Sequence, residues 1–419
     1  MKNNTKTSTN SGVWNRNFTL LMSATTCGCI GGIAANYALS FLVFFETGSV
    51  FASALILASR LIPSFLLPLA IGPVLDRIPR KKMLIFGDVC NGLLYLAMGT
   101  WMLFKPFSYL GYLGYSLLLS CASCVDELAF DSILPMTITK GCEQKSYAAS
   151  GMIYPMLNII SMPAGAMVMA WIGVPVLLLA QGVLSLAAAF LEAQMRLEKD
   201  IAKKTEDFGY RAWLNDLKVA LHYLKNEPGL LSFYIYSAFS NGVANANAPV
   251  LIAFFSTAPG LSPILYSFFG AAECVGRFAG NAGQYLTSMR NEKKYGFSLM
   301  VMIVYNIMDA ILLFLSYPLM LLNRAICGSL GSVSYTIRTA AIQSYIPEEI
   351  RGRINSFQNL LYYAVSSILI LVVGWIADVL SAQMVFVLGA AAGMAVLGLT
   401  WVKNRKSCQK IFLSASEPE

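Results

Sequence analysis

Long apolar runs alternate with short polar connections along the whole chain. A helix needs about 20 apolar residues to cross a bilayer. Twelve runs meet that length, at residues 17–45, 49–75, 83–104, 107–133, 148–171, 174–195, 229–256, 261–288, 296–316, 318–344, 354–379 and 382–402. Glycine and proline within them do not break the reading, because neighbouring helices can satisfy freed backbone groups inside a membrane. One hydrophilic connection is long, residues 196–228, and it divides the runs into six and six. The pattern predicts an all-α polytopic membrane protein, with twelve transmembrane helices in two six-helix halves. The first bundle covers 1–195, a cytoplasmic linker 196–228, the second bundle 229–403 and a cytoplasmic tail 404–419.

The linker has its own period. Tyr210, Trp213, Leu214, Leu217, Leu221 and Leu224 recur at helical spacing, with Arg211, Lys218 and Lys225 beside them. This predicts an amphipathic helix lying on the inner leaflet, ended by Pro228, with a plain polar connector as the alternative.

Composition agrees with a lipid environment: 57% of residues are hydrophobic and only 12% charged, and the mean hydropathy is +0.61. The net charge of +8 matters through its placement. With the N-terminus inside, 25 of the 30 Lys and Arg fall in the cytoplasmic connections and termini, and the outer connections hold only Lys105. The other four, Arg60, Arg277, Arg324 and Arg338, lie within spans. The positive-inside bias therefore predicts a multi-pass protein of the cytoplasmic (inner) cell membrane with both termini cytoplasmic. Residues 1–16 are polar and no small-residue cleavage site follows, so the first span is expected to be retained. Basic residues in short clusters between apolar runs do not form a nucleic-acid footprint.

The stretch GPVLDRIPRKK, residues 72–82, connects spans 2 and 3. Its charges serve topology, but their spacing says more. Gly72, Asp76, Arg77, Arg80 and Lys81 resemble the GxxxDRxGR signature, followed by Lys or Arg, that the major facilitator superfamily carries at this connection. Pro79 stands where that signature has its second glycine, which stiffens the turn. Gly72 allows two helices to approach closely, and Asp76 can accept hydrogen bonds at a neighbouring helix N-terminus. The resemblance covers essentially the whole chain. Its nearest flavour is the macrolide-efflux and siderophore-exporter branch, to which TGSVFASALILASRLIPSFLLPLAIGPVLDRIPRKK, DLKVALHYLKNEPGLLSF and IQSYIPEEIRGRINSF are similar. Many antiporters of that superfamily carry an arginine in helix 4. Here that span reads YSLLLSCASCVDELAFDSILP, with three acids and no arginine, so the usual coupling account does not transfer.

A weak internal repeat supports duplicated halves. Lys81-Lys82 recurs as Lys293-Lys294, and Pro135 as Pro347, both displaced by 212 residues. In the superfamily the halves are related by an axis along the membrane normal and face each other across a central cavity. That relation puts Asp126 and Arg338 at corresponding places, each nine residues before its proline, and predicts that they can pair as an inner gate. The alternative is that each charge finds another partner or snorkels to the inner interface.

For the cavity, span 1 offers Asn36, Tyr37 and Phe41, and span 7 offers Tyr236, Asn241 and Asn245, able to stack on or hydrogen-bond an amphipathic molecule. Packing is the plainer role for such aromatics. Charges inside a membrane point to function by default. Those singled out are Arg60, Asp126, Glu127, Glu273, Arg277, Asp309 and Arg338. Glu273 and Arg277 are spaced for a structural ion pair, and Asp309, on a span expected to be peripheral, can neutralise Arg277. Asp126 and Glu127 are the coupling candidates, since an acid in an apolar cavity can take up a proton from whichever side is open.

The one histidine, His222, excludes a His-rich metal site, and Cys121 with Cys124 inside a span read as packing residues. No Walker motif is present, and no cofactor is expected. A polytopic membrane enzyme using Asp126, Glu127 and Asp131 would lack a nucleophile or metal set, and a sensor on this fold would lack a signalling domain. The expected function is secondary active transport: proton-coupled export of a small amphipathic compound, macrolide-like or siderophore, by a monomer. A lysolipid flippase or an importer of the same fold is the alternative.

Overall fold

Helix signals act where apolar runs meet polar ones. The Asn15 side chain accepts a hydrogen bond from the Phe18 amide to start the first helix, and Gly48, at φ 65°, ends it in a left-handed cap. Ser108 and Ser381 cap two later helices in the same way. The computed structural model describes residues 14–75, 78–139, 142–197, 210–286 and 289–414. Its first six helices are α1 (Arg16–Thr47), α2 (Val50–Leu75), α3 (Arg80–Phe104), α4 (Tyr109–Thr137), α5 (Glu143–Trp171) and α6 (Val174–Ala193). After the linker helix α7 (Tyr210–Asn226) come α8 (Pro228–Thr257), α9 (Pro263–Leu286), α10 (Asn291–Ile311), α11 (Tyr317–Tyr345), α12 (Glu348–Val379) and α13 (Ala382–Leu397). A π-helical turn over Gly398–Val402 lengthens α13, and a short helix α14 (Arg405–Leu413) follows.

Helices α1, α3, α5, α6, α10, α12 and α13 are long and apolar enough to cross a membrane by composition alone. Helices α4, α8, α9 and α11 run for 24–30 residues and are not among these seven. Three of these four, α8, α9 and α11, line the interior space described below, which is where a membrane protein tolerates polar groups. Outward faces are apolar instead: Phe104, Leu110, Trp171, Phe190 and Trp375 are all exposed.

The two halves repeat one arrangement. In the first, α1 packs on α5 and α6, and α3 on α4 and α6; in the second, α8 packs on α12 and α13, and α10 on α11 and α13. Between halves, α2 meets α12, α5 meets α9, and α1 meets α8. Counting from the start of each half, these are second against fifth, fifth against second, and first against first, which is the signature of a two-fold relation. Glycines permit the closest helix pairs. A Cβ on Gly276 or Gly280 of α9 would run into the Ala325 or Ser329 carbonyl of α11, and one on Gly328 into the Glu273 carbonyl of α9.

Two elements outside the twelve are built onto the second half. Ala220 and Leu224 of α7 and Cys408, Ile411 and Phe412 of α14 are buried in one core with Phe233, Tyr295 and Trp401. The Trp401 ring lies 4.4 Å from Phe233 and stacks on Tyr295 at 5.7 Å. Part of the expected tail is therefore folded helix, because Cys408, Ile411 and Phe412 return to one face at i, i+3 and i+4.

Candidate functional site

A cavity of about 740 Å³ lies between the halves. Most of its wall comes from the second half: Tyr236, Asn241 and Asn245 of α8, Phe269, Glu273 and Arg277 of α9, Tyr305 and Asp309 of α10, and Arg324, Tyr335 and Arg338 of α11. Gly151, Met152 and Pro155 of α5 close it from the first half. Met152, Tyr335 and Thr336 of this wall are exposed, so the cavity opens toward the end where α5 begins and α11 finishes.

The opposite end is sealed by contacts between the halves. The Tyr37 hydroxyl donates to the Pro263 carbonyl. Its ring stacks on Tyr266 at 6.0 Å, and Phe41 meets the same tyrosine edge-on at 5.5 Å. Tyr37, Phe41, Phe44 and Val50 of the first half share a buried core with Val250, Phe255 and Phe269 of the second. Beside this plug, Asp378 at the end of α12 receives hydrogen bonds from Ser49 Oγ at 2.7 Å and from the amides of Val50 at 2.7 Å and Phe51 at 3.3 Å. A carboxylate of one half thus caps the first turn of α2 in the other, where the helix dipole favours negative charge.

Charges in the cavity wall are mostly self-neutralised. Glu273 pairs with Arg277 at 2.7 Å, as their spacing predicts. Asp309 pairs with Arg324, on the adjacent α11, instead of neutralising Arg277. Arg324 is held further by Asn323 Oδ1 at 3.2 Å and lies over the rings of Phe269 and Tyr305. The expectation that this span is peripheral is also corrected: α10 reaches the cavity through Tyr305 and Asp309. Arg338 differs. It donates from Nε to its own helix, at Ser334 O (3.1 Å), and among the described residues it has no ion pair.

Of the six cavity candidates, Tyr236, Asn241 and Asn245 line the space, while Tyr37 and Phe41 belong to the plug. Tyr236 accepts from Asn306 Nδ2 at 3.2 Å, and Asn245 Nδ2 donates to the Tyr362 hydroxyl at 3.0 Å. Asn36 lies off the cavity wall, where its Oδ1 accepts from Arg60 Nη2 at 2.7 Å. Arg60 sits within the first half, beside Tyr95, Tyr112 and Tyr115.

Asp126 and Arg338, expected to pair when the inner end closes and to separate when it opens, form no ion pair in this structure. Asp126 turns into its own half, where a Cβ on Gly87 of α3 would come within 2.9 Å of the Asp126 Cβ. Asp88 of α3 and Glu192 of α6 complete a buried acidic group there. Asp126 Oδ1 and Glu192 Oε2 are buried without a partner among the described residues. Glu127 instead is exposed, on the side of α4 toward Tyr363 of α12.

In the motif between α2 and α3, Gly72 lies in the last turn of α2, whereas Asp76 and Arg77 lie outside the described residues. Arg80 Nη1 donates to the Ser132 carbonyl of α4 at 3.2 Å. Lys81 Nζ donates to the carbonyls of Ala193 and Met195, both at 2.7 Å. Both cations satisfy carbonyls near helix C-termini of their own half.

Sequence reasoning missed Asp88, Glu192, Tyr305, Tyr335 and the Asp378 cap. An acid within an apolar run was a readable signal for Asp88 and Glu192. The cap had none, because its partners, the Ser49 hydroxyl and two backbone amides, are 327 to 329 residues away.

No family profile matches the sequence, and no curated protein does. Solved structures do. A POT family transporter in complex with 5-aminolevulinic acid superposes with a TM-score of 0.73 at 12% identity, covering 95% of this chain and 98% of that one. The nucleoside transporter NupG gives 0.68 at 12% identity, over 93% and 99%. A bacterial homolog to the human lysosomal transporter Spinster, in an inward-facing and unoccupied conformation, gives 0.66 at 12% identity, over 97% and 100%. Twelve helices in two pseudo-symmetric halves, matched over nearly their full length by these structures, give this multi-pass membrane protein the major facilitator fold.

Proposed function

We propose that the chain is a secondary active transporter that exports a small amphipathic compound, macrolide-like or siderophore-like, in exchange for protons. The observation that carries this reading is the cavity at the two-fold seam, sealed at one end and open at the other. Such a space needs only a rocking of the halves to expose its contents alternately. The concentration of Lys and Arg in the connections at the open end supports a cytoplasmic assignment for that end. On that assignment the structure is the loading state of an exporter. Aromatic rings beside Asn241, Asn245 and Tyr236 suit a ligand with apolar and polar parts.

Proton coupling draws support from the first half. Asp126 and Glu192 present buried carboxyl oxygens without a partner among the described residues, in the same half as the buried acid Asp88. A substrate screen in an efflux-deficient host, followed by flux in proteoliposomes under an imposed pH gradient, tests the reading. Gradient-driven movement of a screened compound supports it. Absence of flux for compounds to which the chain confers resistance contradicts it, and turnover without a gradient would indicate an enzyme.

A further inference from the structure

The cavity wall holds five charged side chains, and four of them cancel in two ion pairs, Glu273 with Arg277 and Asp309 with Arg324. The fifth, Arg338, is a cation without a counter-charge among the described residues. Its guanidinium uses only Nε, toward Ser334 O, so both Nη groups are without a hydrogen-bond partner among the described residues. Tyr236 and Tyr335 share the cavity wall with it and bring hydroxyls, not negative charge. A desolvated cation in a membrane cavity is costly unless something of opposite charge visits it. A guanidinium presents its free edge as a planar fork that matches the two oxygens of a carboxylate or a phosphate. The rings of Tyr266, Phe269, Tyr305 and Phe386 line other parts of the same cavity.

We infer that Arg338 is the recognition point for an oxyanion carried on an apolar body, so that the transported compound is an amphipathic acid. Its carboxylate, sulfonate or phosphate lies on the Arg338 fork, and its apolar part lies against the tyrosine and phenylalanine rings. This rests on the transport reading for its biological meaning, but the site itself is a matter of binding. It narrows the substrate class toward acids and away from cationic amine drugs, which Arg338 repels.

Matched pairs of an acid and its neutral counterpart test the inference without knowledge of the natural ligand. The full chain in nanodiscs is titrated with hippurate against hippuramide, and with a lysophosphatidic acid against the corresponding monoacylglycerol, and binding is read as thermal stabilisation. At least one acid should bind about tenfold more tightly than its neutral partner, the expected size of one charge-assisted contact. The hippurate arm identifies a soluble acid and the lysolipid arm a membrane-borne one. In Arg338→Gln the preference should vanish, and in Arg338→Lys part of it should remain, since the charge survives but the fork does not. Equal binding of acid and neutral partner, no stabilisation by either acid up to about 10 mM, or a preference that persists in Arg338→Gln would each overturn the inference. The comparison within the wild-type chain stands even where a variant does not fold. Counterflow of the bound acid in proteoliposomes is measured separately: binding without exchange sinks the transport reading and leaves the anion site, whereas exchange of neutral compounds only does the reverse.

Discussion

Among the described residues Asp378 is the one carboxylate that ties the sealed end together across the halves, and its removal has a calculable effect on which side the cavity faces. In the present conformation it accepts three hydrogen bonds from the start of α2. Those bonds exist only while the sealed end is closed. The side chain is exposed, so the full strength of buried charged bonds does not apply. The relevant scale is that of a helix N-cap, about 1 kcal/mol, with a dipole contribution of about 0.3–1 kcal/mol. Asp378→Ala should therefore weaken closure by about 1–2 kcal/mol, a shift of roughly 5–30-fold in the ratio of open to closed forms. Cys274 lines the cavity and serves as a reporter once the other native cysteines are replaced. An impermeant thiol reagent applied from the sealed face should label it faster in Asp378→Ala by that same factor, while Asp378→Asn, which keeps an acceptor oxygen, should fall between. An unchanged labelling rate in Asp378→Ala would refute the reasoning and reduce the cap to a local turn.

Other perturbations address the remaining parts of the account. Trp401→Ala opens a hole between Phe233, Tyr295 and Phe412 and should cost about 3–5 kcal/mol, seen as a clear fall in thermal stability. Gly280→Leu forces α9 away from the Ser329 carbonyl and should abolish a monodisperse fold, judged by size-exclusion chromatography. Asp126→Arg combined with Arg338→Asp should not recover transport, because Asp126 faces Gly87 and Asp88 of its own half; recovery would restore the gate pair. Burial pushes the Cys408 thiol up to about 12, so it should resist alkylation at neutral pH from either side. Topology is better read from a cysteine placed at exposed Ser414, which an impermeant reagent should reach only in inverted vesicles.

The helical framework was legible because lipid imposes one strong rule on sequence, an apolar run of fixed length, and because Lys and Arg mark one face. Helix ends were less so. α5 begins at Glu143 and α12 at Glu348, beyond their apolar stretches, since backbone hydrogen bonding carries a helix past the lipid. Helix α14 escaped notice because three buried side chains in nine residues make a weak signal. Individual cavity residues were half legible. Tyr236, Asn241 and Asn245 were recognised on α8, but sequence does not say which way a helix is turned, and so Tyr37, Phe41 and Asp126 went to the plug and to a buried acidic group. Pairings between helices, such as Arg324 with Asp309, depend on that rotation and on which helices are neighbours.

The central claim is that the halves rock about the cavity so that one end opens as the other closes. Two spin-label distances test it most directly. One pair joins exposed Glu46 and Thr257 at the sealed end, and the other joins exposed Tyr147 and Ser344 at the open end. Asp378→Ala should give the first pair a new, longer population and the second a new, shorter one, in matching proportion. Separation at the sealed end with no approach at the open end, or two distances that lengthen together, would contradict alternating access.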